Sequence, residues 1–117
     1  MELVAFLGED KETWGQITGL INHGSWEKVI LIKHPSASSF PIPVNGEEIY
    51  IDPAKSLIDT KTELMTKLKP KLGGFEVAVS IASGKGKEHM ALIASLLSIP
   101  VGIRLVVFTK NGVESIT

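Results

Sequence analysis

The chain has 117 residues, 12 Lys+Arg against 13 Asp+Glu for a formal net charge of −1, and no cysteine. That length supports one domain with a single core, residues 1–117, and leaves no room for a sensor joined to a separate catalytic module. Zero cysteines exclude disulfides and thiolate chemistry, and near-neutral charge without a Lys/Arg-rich block excludes the footprint of a duplex nucleic-acid binder.

The run ELVAFL (2–7) reads as a strand with no cationic leader before it, and no apolar run reaches the length of a membrane span. A cytoplasmic protein with no membrane partner is therefore expected. In GEDKETWGQITGLINHG (8–24), Trp14, Ile17, Leu20 and Ile21 fall on one helical face, with Asp10 as the expected cap and Gly24 as the stop. EKVILIK (27–33) is apolar through its middle, which predicts a central strand covered on both faces. HPSASSFPIPVNG (34–46), with three prolines and three serines, is a long loop, and long ordered loops often line sites.

EEIYID (47–52) alternates like a strand. The helix that follows to about Lys69 has two competing starts, a cap at Asp52 before Pro53 or a capping box running from Thr60 to Glu63. FEVAVSIA (75–82) is the next strand, SGKGK (83–87) a loop, and EHMALIASLLSI (88–99) a helix apolar on nearly every face. GIRLVVFT (102–109) and VESI (113–116) flank Asn111-Gly112, a strong hairpin signal. The order β-α-β-loop-β-α-β-α-β-β predicts an α/β, Rossmann-like, mostly parallel doubly wound sheet of about six strands, closed by a C-terminal antiparallel β-hairpin.

In such a sheet, ligands bind beyond the carboxyl ends of the strands, which is where the SGKGK loop falls. Gly84 and Gly86 would let backbone N–H groups approach a ligand, and the following helix would aim its partial positive end there. Lys85 and Lys87 would add charge, and the Ser83 hydroxyl a donor, so an anionic oxygen is the natural guest. The competing reading is a tight strand-to-helix turn with solvated lysines.

The loop is neither a Walker A motif, since Ile81 and Glu88 stand at a required glycine and a required hydroxyl residue, nor GxGxxG, since His89 replaces the third glycine. No nucleotide cofactor is expected. His23, His34 and His89 lack metal-ligand spacing, so no metal is expected either. Ser36, Ser38 and Ser39 show no nucleophile signature and read as loop hydroxyls, among which Ser36, with the neighbouring His34, is kept as a candidate ligand contact.

In element order, and above all in FEVAVSIA, SGKGK and EHMALIASLLSI, the chain resembles the CARF domains, the CRISPR-associated Rossmann-fold sensors of cyclic oligoadenylates, in a minimal form without an appended effector. The resemblance implies a homodimer that binds a cyclic oligoadenylate in type III CRISPR antiviral defence. Ser83, Gly84, Lys85, Gly86 and Lys87 would contact phosphate and ribose, and Gly8, Glu9 and Asp10 would form the facing wall. It also allows a metal-independent ring nuclease, with Lys85, Lys87 or Ser83 as candidate catalytic groups, or a scaffold domain that has lost its ligand.

The apolar helix carries a further expectation. If two or three of Leu92, Leu96 and Leu97 were left in water, the chain would forgo roughly 1.5–3 kcal/mol for each. An obligate dimer with the helix of residues 88–99 near its interface is therefore expected, the competing cover being the 34–46 loop folded over the helix within one chain.

Overall fold

Strands and helices alternate as the sequence order predicts. The computed structural model describes residues 1–117. The strands are β1 (Leu3–Leu7), β2 (Val29–Lys33), β3 (Gly46–Tyr50), β4 (Glu76–Ser80), β5 (Gly102–Thr109) and β6 (Gly112–Ser115), and the helices are α1 (Trp14–His23), α2 (Leu57–Leu68) and α3 (Gly86–Ser98). All six strands form one sheet in the order β3-β2-β1-β4-β5-β6. Pairing is parallel from β3 through β5 and antiparallel only between β5 and β6. This is an α/β, Rossmann-like sheet with a C-terminal antiparallel hairpin.

Period-two alternation divides the core in two. Val4, Phe6, Ile30, Ile32, Val77 and Val79 face one way and pack with Leu64 and Leu68 of α2 and Ala91, Leu92 and Leu96 of α3. Leu3, Ala5, Leu7, Val29, Leu31 and Ala78 face the other way, against Ile17 and Leu20 of α1, Val106 of β5, and Ala37 and Phe40 of the long loop. Every residue of β1 and β2 is buried, as strands covered on both faces require.

Two expectations are corrected. The helix after β3 begins at neither expected start. Ser56 is its cap, with its hydroxyl accepting from the Asp59 N–H at 3.1 Å. Asp52 instead accepts from the Ala54 N–H at 2.9 Å, an Asx turn before the helix, and Thr60 lies within the helix, its hydroxyl donating to the Ser56 carbonyl.

The second correction concerns α3. Leu92 and Leu96 are fully buried within one chain, and of the large apolar side chains on the helix only Met90 (62%) and Leu97 (63%) remain well exposed. The cover is neither a second copy nor the 34–46 loop. It is α2, because the β3-to-β4 and β4-to-β5 crossovers lie on the same face of the sheet and lay the two helices side by side over it. The 34–46 loop packs on the opposite face, beside α1.

Candidate functional site

Strand order reverses between β1 and β4, because the chain leaves β1 toward β2 on one side and β4 toward β5 on the other. The loops after these two strands therefore face each other at the carboxyl edge, the position where open α/β sheets bind ligands. Gly8, Glu9 and Asp10 form one wall, and residues 81–85 the other.

Ser83 joins the walls from below. It is fully buried, accepts from the Gly8 N–H at 2.8 Å and donates to Asp10 Oδ1 at 3.1 Å. The Gly84 N–H reaches both Asp10 oxygens, at 3.0 and 3.3 Å. Gly84 stands at φ +99°, and a Cβ there would fall 2.5 Å from the Phe6 ring, so neither its backbone nor its surroundings admit a side chain. Gly8 is fixed by space alone, since a Cβ would meet Asp10 Oδ1 at 2.5 Å and the Gly84 Cα at 2.6 Å.

Gly86, the first residue of α3, differs from what the motif suggests. A Cβ there would meet open space and its φ is not positive, so no close approach in this structure requires glycine. Asp10 also departs from its expected role. Its side chain caps nothing in its own helical segment and instead reaches across to Ser83 and Gly84.

Above this junction lies a cleft of about 190 Å³, bounded by Glu9 after β1, His34 after β2, Ile51, Asp52 and Pro53 after β3, Thr60 of α2, and Lys85, Lys87 and Glu88 after β4. Four consecutive parallel strands thus end at one opening. Lys85 Nζ pairs with Glu9 Oε1 at 2.7 Å, and Glu88 accepts from the Lys85 N–H at 2.8 Å. Lys87 Nζ donates to the Lys55 carbonyl at 2.6 Å, tying α3 to the β3–α2 loop.

The electrostatics follow from these contacts. The hydrogen bond and charge of Lys85, with a smaller contribution from His34, hold the Glu9 carboxyl below its ordinary range, and Glu9 in turn raises Lys85. Partial burial pushes Asp10 up, but the N–H bond from Gly84 and the hydroxyl bond from Ser83 outweigh it and leave its pKa lowered. Three carboxylates and two ammonium groups share the cleft wall, so it is mixed in charge rather than cationic.

Among the expected site residues, Glu9, His34, Lys85 and Lys87 line the cleft. Gly8, Asp10, Ser83 and Gly84 form the junction beneath it, and Gly86 opens α3. Ser36 is off the cleft, with its hydroxyl 2.8 Å from His34 Nδ1 and its N–H donating to that same nitrogen at 3.1 Å. His89 sits behind the loop, with Nε2 2.7 Å from the Ser83 carbonyl.

Sequence reasoning missed Asp52, Pro53, Thr60 and Glu88 as cleft residues. The signal for Asp52 and Pro53 is their place after the carboxyl end of a strand in the same sheet, which the pattern of a capping residue followed by a first-turn proline masks. No family model matches the chain, and no curated protein matches it.

Proposed function

We propose that this cleft is a binding site for an anionic nucleotide ligand, of the cyclic oligoadenylate class that the resemblance to CARF domains implies, in type III CRISPR defence. The observation that carries the reading is the convergence of the amino end of α3, Lys85 and Lys87 on an opening at the carboxyl ends of β1 to β4. At about 190 Å³ the cleft is below the ~300–1,000 Å³ typical of pockets that enclose a drug-sized molecule. A cyclic oligonucleotide would have to be shared between two such clefts, which favours a twofold dimer around a symmetric ring. Calorimetry with cyclic tetra- and hexa-adenylate at moderate salt tests this. Saturable heat at one ligand per two chains is expected, and no heat with either ring would overturn the ligand assignment.

A second reading has its own observation. Asp10 and Glu9 already engage the Gly84 N–H, the Ser83 hydroxyl and the Lys85 ammonium, as in a domain that kept the fold for protein contacts and lost the ligand. That reading predicts that removing these carboxylates restores no anion binding.

A further inference from the structure

Three of the features that suit the β4–α3 loop to an anion, the Ser83 hydroxyl, the Gly84 N–H and the Lys85 ammonium, are in this structure occupied by anions of the chain itself. Asp10 Oδ1 receives both the Ser83 hydroxyl and the Gly84 N–H, and Asp10 Oδ2 lies 3.3 Å from the same N–H. Glu9 Oε1 lies 2.7 Å from Lys85 Nζ. Both acids come from one short loop, where a tight turn through Asp10, closed by the Lys11 N–H to the Glu9 carbonyl at 3.1 Å, presents the two side chains to the opposite wall. A phosphate oxygen asks for the same donors as a carboxylate oxygen, and two anions cannot share one N–H and one hydroxyl without strong repulsion.

We propose that Asp10 and Glu9 form an autoinhibitory latch over the loop of residues 83–87, so that an anionic ligand gains the Gly84 N–H and Lys85 only by displacing them. The inference rests on the reading of this loop as an anion site. The two arms differ in strength. Glu9 is half exposed and pairs with an exposed ammonium, so it swings away at little cost. Asp10 is held by backbone and hydroxyl donors around the buried Ser83, so it sets the threshold. The latch keeps the empty loop satisfied and raises the ligand concentration needed to open it.

The test uses the ¹⁵N-labelled full chain as wild type, Asp10→Asn, Asp10→Ala and Glu9→Gln, titrated at constant ionic strength with inorganic phosphate and, separately, with cyclic tetra-adenylate. The Gly84 amide is the readout. Asp10→Asn keeps an acceptor for the Gly84 N–H and removes only the charge, so it remains informative if the alanine variant folds poorly. The wild-type Gly84 amide is expected to stay still in millimolar phosphate, and to shift saturably in both Asp10 variants. Affinity for cyclic tetra-adenylate should rise about tenfold in Asp10→Asn and less in Glu9→Gln. A folded Asp10→Asn whose Gly84 amide ignores phosphate, or a wild type that responds equally, overturns the latch. If Gly84 of Asp10→Asn responds to phosphate while no variant binds cyclic tetra-adenylate, the latch stands and the nucleotide assignment falls.

Discussion

Lys33, wholly buried at the end of β2, places Nζ 2.8 Å from Glu48 Oε2 on neighbouring β3 and 2.7 Å from the Phe40 carbonyl. The ammonium also lies 5.9 Å from the centroid of the Tyr50 ring. One side chain thereby ties the edge strand and the 34–46 loop to the centre of the sheet. Because the lysine is dry and the glutamate 30% exposed, the two halves of the pair are unequal. Glu48→Ala strands a buried cation and should cost about 2 kcal/mol, below the ~3–5 kcal/mol of a fully buried pair because the Phe40 carbonyl remains. Glu48→Gln keeps an acceptor and should cost less. Urea denaturation of the two variants checks the order; equal costs would mean that the charge of Glu48 rather than its hydrogen bond carries the effect, and no cost in either would mean that the ion pair contributes nothing.

Glycine is required at one end of the SGKGK loop and not at the other. Gly84→Ala forces a Cβ into the Phe6 ring at a φ of +99°, so backbone strain and overpacking together should destabilise by about 2–4 kcal/mol. Gly86→Ala meets nothing within 4 Å and occupies the first position of α3, so it should be neutral or stabilise by up to about 1 kcal/mol. Thermal unfolding of the pair is the check. A Gly86→Ala loss as large as that of Gly84→Ala would show that the open space beside Gly86 is filled in solution.

Asp10 carries a pH signature with a definite sign. Its folded pKa is depressed below the ordinary 3.8, so its contribution is present in full above that value and lost as pH falls through the lower folded value. Other lowered carboxylates, Glu63 beside Lys55 and Glu47 beside Lys71, contribute to acid unfolding too, so the wild type alone does not isolate it. The difference in stability between wild type and Asp10→Asn does. It should be flat from pH 7 to about pH 5 and shrink at more acid pH. A difference that grows on acidification would mean that Asp10 is held neutral.

The layout of the sheet was legible because its signals are local. The unbroken apolar middle of β2 reads as a strand covered twice, and Asn111-Gly112 reads as a turn, with Gly112 supplying the positive φ of +100° at the hairpin. The start of α2 is not legible from Ser56 and Asp59 although they have cap spacing, because Asp52-Pro53 upstream and Thr60 with Glu63 downstream offer equally good patterns. In the site, strand ends alone placed the SGKGK loop at the carboxyl edge, whereas the facing wall of Gly8, Glu9 and Asp10 followed from the family resemblance. The bond from Gly84 to Asp10 followed from neither, since it joins residues 74 apart through donors that only the folded loops bring together. Helical periodicity also says how much of α3 is apolar without saying what covers it.

That last distinction separates Leu92 from Leu97. Leu92 is enclosed by the sheet and α2, so Leu92→Ala should cost about 2–5 kcal/mol whatever the oligomeric state. Leu97, 63% exposed near the end of the same helix, contributes little to the monomer, and Leu97→Ser should change unfolding by less than about 1 kcal/mol. If two copies pair through α3, with Met90 and Leu97 at the seam, the double variant Met90→Ser, Leu97→Ser should sediment as monomer at concentrations where the wild type is dimeric, with its unfolding midpoint no longer dependent on concentration. A dimer that survives this double change places the seam elsewhere, at the rims of the two clefts. A wild type that stays monomeric at micromolar concentration even with cyclic tetra-adenylate present removes the twofold reading, because one cleft of about 190 Å³ cannot enclose the ring alone.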